Sequence, residues 1–165
     1  GTDIADGITN ATVLGRGATN STSNTIVLGN GSITRVSTSG AIVTTNDITA
    51  KHLKGNSGAL SIAASTGAGT SPTAVSVTGT DMSGVVALTT GTSPTVNAVL
   101  ATITYNTAFS TAPVVVITPA NAATASLAAT QAVWVNITTT GFTINTNATA
   151  VVSSTAYKWN YAVIQ

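Results

Sequence analysis

The 165-residue chain has no cysteine and no glutamate. Without cysteine, disulfides and thiolate metal sites are excluded, and redox usage says nothing about compartment. Charge of either sign is scarce, at 5% of residues against roughly 25% in an ordinary soluble domain. Five basic residues and a net charge of +1 leave no clustered Lys/Arg for nucleic acid or anionic lipid, so neither is an expected partner. No apolar run is long enough to span a bilayer as a helix, and membrane insertion is not expected. The chain opens Gly1-Thr2 with no initiator Met and no charged-then-apolar leader, which reads as a fragment of something longer.

What is present is Ala, Val, Ile and Thr. Hydrophobic residues make up 43%, enough for a core in one or two small domains. The β-branched content fits pleated surfaces and argues against disorder. A surface of Thr, Ser and Asn carries little charge and can lie against another copy without repulsion, which suits an oligomer.

The clearest pattern is a repeat. Asn10-x-x-Val13-Leu14-Gly15-x-Gly17 returns 14 residues later as Asn24-x-x-Val27-Leu28-Gly29-x-Gly31. That step is too short for a helical hairpin and suits one turn of a β-solenoid, two short strands reversed by Gly/Asn/Ser turns. A single turn cannot bury its own apolar face, so the expected partner is the same segment of a neighbouring subunit. Short pieces at Ser32-Ile33-Thr34-Arg35-Val36 and Gly40-Ala41-Ile42-Val43-Thr44 continue the strand-and-turn texture. Asp47, Lys51, His52 and Lys54 then gather in residues 46–58, where Asn46 or Asp47 could cap a turn of helix. Residues 65–72 are small and aperiodic, a linker or long turn.

Beyond residue 73 the pattern is β. Val75 and Val77 suggest a pair with Val85 and Ala87. Val99, Ala101, Ile103 and Tyr105 share a face, Pro113 and Pro119 bracket an apolar strand, and Val133, Val135 and Ile137 alternate with Trp134 and Asn136. Phe142 to Ile144 and Tyr157 to Ile164 supply further strands. With no convincing amphipathic helix between them, these elements predict an antiparallel, jelly-roll-like β-sandwich. The expected organisation is all-β: a repeat-containing shaft or β-roll segment over 1–45, a junction and linker over 46–72, and a sandwich tip over 73–165.

Chemistry is thin. Asp3 and Asp6 sit near a terminus and make a poor glycosidase pair. His52 is the only imidazole, flanked by Lys51 and Lys54 with no orienting carboxylate, so a Ser-His-Asp triad is not expected. His52 on a threefold axis could still supply three metal ligands from three chains. Five Asn-x-Ser/Thr triplets, starting at Asn10, Asn20, Asn30, Asn136 and Asn147, follow from composition, and Gly15-Arg16-Gly17 reads as a turn, not a phosphate loop. No enzyme activity, cofactor or catalytic residue is expected. Tyr157, Trp159, Tyr161 and Val163 share one strand face, on which Trp159 and Tyr161 read as core. Candidate receptor contacts are Tyr157 and Lys158 near a loop end, with Asn121 and Gln131 in the loop 120–131 and further contacts in the loop 145–155.

The repeat Asn-x-x-Val-Leu-Gly-x-Gly-Ala/Ser resembles the 14-residue head repeat of trimeric autotransporter adhesins and related phage tail fibres, in which three chains build a left-handed β-roll. The resemblance covers about 35 residues; only two copies are present. Residues 103–119, Thr140-Gly141-Phe142-Thr143-Ile144 and Tyr157-Lys158-Trp159-Asn160-Tyr161-Ala162 are similar to the small β-sandwich tips of phage tail fibres and, more loosely, to trimeric H-type lectins. The resemblance implies a homotrimer at the tip of a virion tail fibre, adhering to a bacterial surface glycan or outer-membrane protein. Receptor contacts in such tips lie in loops without a motif, so none carries over to a numbered residue. An autotransporter head and a tailspike depolymerase fragment are the alternatives.

Overall fold

The computed structural model describes residues 3–29, 42, 44–45, 47–55, 57–130, 133–149 and 151–165. The expected strand 32–36, most of 40–44, Gly31 of the second repeat, Asn46 and Gln131 lie outside the described residues. The chain is nearly all-β, as its composition predicts, and divides into two units, Gly1–Ala50 and Lys51–Gln165.

Among its described residues the first unit is a stacked coil of four short strands: β1 (Asp3–Ile4), β2 (Thr12–Leu14), β3 (Thr19–Asn20) and β4 (Ile26–Leu28). β2 and β4 run parallel with Thr12 opposite Ile26, Val13 opposite Val27 and Leu14 opposite Leu28, so the 14-residue repeat is a physical register. β1 pairs in parallel with β3, Asp3 opposite Thr19, a step of 16. The two extra residues lie in the link from β1 to β2, which turns at Asp6 and Gly7.

Polar groups set this stacking. Asn10 and Asn24 both adopt positive φ (52° and 58°), a conformation Asn tolerates better than most residues. The Asn10 amide nitrogen donates to Asn24 Oδ1 at 3.0 Å. Beside this rung Asn24 N–H donates to Thr9 O, Thr12 N–H to Thr25 O and Gly29 N–H to Leu14 O. Gly15 has φ +120° and a Cβ there would stand 3.2 Å from the Gly29 backbone, so the repeat's glycine serves both the turn and the close stacking. Burial is slight: Ala18 and Asn20 are covered, whereas Ile4, Leu14, Ile26 and Leu28 are exposed.

The second unit is a sandwich of two four-stranded antiparallel sheets. One has the order β10 (Val133–Ile137), β11 (Gly141–Thr146), β8 (Val99–Thr104), β5 (Ser61–Ala64). The other has the order β6 (Thr73–Gly79), β7 (Ser83–Thr89), β12 (Ala156–Ile164), β9 (Val114–Pro119). Alternation decides what faces inward. In β12 Tyr157, Trp159, Tyr161 and Val163 are buried while Lys158, Asn160, Ala162 and Ile164 are exposed. Opposite them β8 and β11 contribute Ala101, Ile103, Phe142 and Ile144, and the Phe142 and Tyr161 rings meet across the sheets with centroids 5.7 Å apart. Pro119 ends β9, an edge strand where its missing N–H breaks no central ladder.

Four features depart from expectation. Val77 lies opposite Val86, so Val85 and Ala87, expected as the partners of Val75 and Val77, are on the other face of β7. The sandwich begins before residue 73, because β5 pairs with β8 and the small-residue stretch after it forms a 3-10 turn (Thr66–Ala68) packed on the end of β8. Residues 47–55 hold no helical turn. The loop 120–131 holds a helix instead, α1 (Ala122–Thr130). Asn121 starts it, its Oδ1 accepting from Thr124 N–H at 2.9 Å and from the Thr124 hydroxyl at 2.7 Å. The same Thr124 hydroxyl accepts Lys158 N–H at 2.8 Å, which ties the helix to β12.

Candidate binding faces of the sandwich

Two of the predicted receptor contacts are structural. Tyr157 is 2% exposed, its ring stacks 5.9 Å from that of Trp159, and its hydroxyl accepts Val152 N–H at 3.0 Å. The period of two that places Trp159 and Tyr161 inside places Tyr157 there as well, so its position at the start of β12 does not expose it. Asn121 is committed on both sides of its amide: Oδ1 caps α1, and Nδ2 donates to Ala156 O at 2.9 Å. Lys158 is exposed on the outer side of β12, and Gln131 lies outside the described residues. His52 is exposed beside Lys51 and Leu53.

Asp6 and Asp47 are exposed, but Asp81 is buried. Its two carboxylate oxygens accept Asn106 N–H at 2.8 Å and Thr107 N–H at 3.1 Å, and its own N–H donates to Ser57 Oγ. This carboxylate fastens the loop after β8. Burial first, and the Asp81 charge second, push the Tyr105 and Tyr161 hydroxyls up to about 12 from 10.0. The Tyr161 hydroxyl donates to Thr80 O at 2.8 Å.

The outer faces of the two sheets differ in kind. On the β9–β12 side, Val114 lies opposite Ile164 and Val116 opposite Ala162, four exposed apolar residues on two adjacent strands. On the β10–β11–β8–β5 side the outward residues are Trp134, Asn136, Thr143, Thr102, Thr104, Ala63 and Ser61, with Asn145 on the same side but buried. This second face is polar and uncharged apart from one large aromatic, Trp134, which is 52% exposed.

A hollow of about 150 Å³ lies on the polar face, lined by Thr102, Thr104, Asn136, Thr140 and Thr143 among others. Asn136 and Trp134 stand on the same side of β10, two residues apart, which separates their Cα atoms by about 7 Å along the strand. Asn145, directly opposite Trp134, is fixed by donating to Thr143 Oγ1 at 2.9 Å. Among the described residues no hydrogen bond engages the side chains of Asn136, Thr102 and Thr104 or the Trp134 indole N–H. A second, wider hollow of about 380 Å³ is lined by Thr70, Ser71, Thr73, Thr90 and Ser154. It has no aromatic, and the Thr90 hydroxyl there already donates to Val152 O and accepts Thr155 N–H. Sequence reasoning did not single out Trp134 or Asn136 as contacts, although their alternation with Val133, Val135 and Ile137 carries the signal that they point outward.

No family model, no curated protein and no solved structure matches this chain.

Proposed function

We propose that the chain is the distal, receptor-binding part of a bacteriophage tail fibre, which adheres as a homotrimer to a glycan or protein on the bacterial host surface without chemical turnover. The observation that carries this reading is the coil. Its strands β2 and β4 stack in a 14-residue register like that of the fibre and adhesin head repeats the sequence resembles, with Leu14 opposite Leu28, and the coil leaves Ile4, Leu14, Ile26 and Leu28 exposed. Such apolar side chains gain by burial against a like surface, at about 1.5–3 kcal/mol for each fully covered Leu or Ile. The apolar strip of Val114, Val116, Ala162 and Ile164 offers the sandwich a contact of the same chemistry. Scarce charge leaves little repulsion between copies. Three tips on one fibre would convert weak single-site binding into avidity through effective concentration.

Light scattering at micromolar concentration tests the assembly: a mass near 49 kDa is expected for three chains of 16.2 kDa, and a monodisperse monomer would overturn the reading. Adsorption of labelled protein to a panel of bacterial strains tests adhesion. Shortened products after incubation with purified capsule or lipopolysaccharide would replace adhesion with depolymerisation.

A further inference from the structure

We propose that the polar outer face of the β10–β11–β8–β5 sheet is the receptor site, and that it takes an uncharged glycan with one pyranose ring laid against the Trp134 indole and the adjoining ring over the hollow that begins at Asn136. This inference rests on the adhesive reading above and adds its site and ligand class. An indole offers a flat apolar surface with one N–H, complementary to the C–H face of a sugar ring. Asn136, the next outward residue along β10, lines the adjoining hollow together with Thr102 and Thr104 of β8, and these three hold donors and acceptors that no other described side chain engages, matching the hydroxyls on a ring's edge. The hollow, at about 150 Å³, is well below the roughly 300–1,000 Å³ of a pocket for a drug-sized ligand, so it has room for one ring beyond the one on the indole.

The same chemistry argues against the two other occupants. A charged sugar would find no countercharge, since no ionisable residue lines the hollow and Lys158 is on the outer face of the opposite sheet. Another copy of the chain presenting apolar residues would strand the free amide and hydroxyls, at about 1–3 kcal/mol for each buried group left unpaired. The apolar face of the other sheet carries no such cost.

Two tryptophans of opposite exposure make the test direct, because Trp134 is exposed and Trp159 is 2% exposed. The intact protein is titrated with methyl glycosides of glucose, galactose, mannose and N-acetylglucosamine while acrylamide quenching of its fluorescence is followed. At least one glycoside is expected to protect the quenchable component saturably. Trp134→Ala should weaken its binding roughly tenfold or more, as loss of an aromatic contact and its buried area would. Trp134→Tyr should restore part of it. Asn136→Ala should also weaken binding while the quenching of the free protein stays as in the parent. Because Trp134 is on the surface, near-UV circular dichroism and the trimer mass should be preserved in every variant. If Trp134→Ala adsorbs to bacteria as well as the parent does, the site is wrong although the adhesive reading stands. If adsorption is lost but no neutral glycoside protects Trp134, or only sialosides or uronates do, the ligand class is wrong. A change in trimer mass in Trp134→Ala would reassign the face to subunit contact, and a parent protein that adsorbs to no strain would overturn the adhesive reading itself.

Discussion

The coil of residues 3–29 and the sandwich of residues 61–165 are both built from short strands, yet they place their apolar side chains in opposite directions. In the sandwich, alternation sends Phe142, Ile103, Leu88 and Trp159 inward, and the unit encloses its own core. In the coil, backbone hydrogen bonds and the Asn10–Asn24 rung hold successive turns, while Leu14, Ile26 and Leu28 face out. A closed double layer satisfies its hydrophobic surface within one chain. The two turns among the described residues are too thin to do so and leave these side chains exposed.

Replacing Leu14 and Leu28 with Ser together should break that contrast on the coil side. It removes about 3–6 kcal/mol of assembly energy per chain if both side chains are covered in the trimer. Scattering mass should fall from three chains to one, with sandwich fluorescence unchanged. On the sandwich side Phe142→Ala should cost about 3–5 kcal/mol, seen as an earlier midpoint in urea followed by tryptophan fluorescence. Alkaline titration sharpens the difference further. Tyr105 and Tyr161 have folded values near 12 against 10.0 unfolded, so their neutral forms stabilise the sandwich fully below pH 10. The unfolded chain binds fewer protons above that point, and stability should fall as pH rises from 10 towards 12. Replacing Asp81 with Asn should bring both hydroxyls closer to 10, which ultraviolet titration of tyrosinate would detect. The smallest effect belongs to Asn121→Ala, which removes the cap of α1 and its bond to Ala156 and should cost about 0.5–2 kcal/mol. It should leave adsorption unchanged if that residue is structural and not a receptor contact.

Much of the sandwich is legible in the sequence because burial on one face writes a period of two. The inward side of β12 and the core positions of Trp159 and Tyr161 follow from it, whereas β7 is read one residue out of register, because its run of small and apolar residues does not mark which side is inward and Val77 in fact lies opposite Val86. The coil's β2–β4 register is legible because it repeats residue for residue. Its β1–β3 pairing is not, since two extra residues in one link shift the step and no identity marks it. Helix α1 escapes for a different reason. Its Ala-rich run has no distinct apolar stripe, and it is recognisable only from Asn121 followed by strong helix formers. β5 is four residues, of which all but Ile62 are small, and it becomes a strand through its pairing with β8. Tyr157 shows the limit of reading exposure from a nearby loop: the residue starts a strand, but the following pleat had already assigned its side.

The Asn10–Asn24 rung has a consequence for length. Each turn of the coil offers the next turn the same amide, the same glycine and the same strand edge, so nothing in the motif counts how many turns there should be. A copy of residues 10–23 inserted after Ser23 would extend the stack by about 4.8 Å, the spacing of neighbouring strands, with the downstream fold left as it is. The height of the coil would then be set by the number of repeats, in steps of one strand spacing.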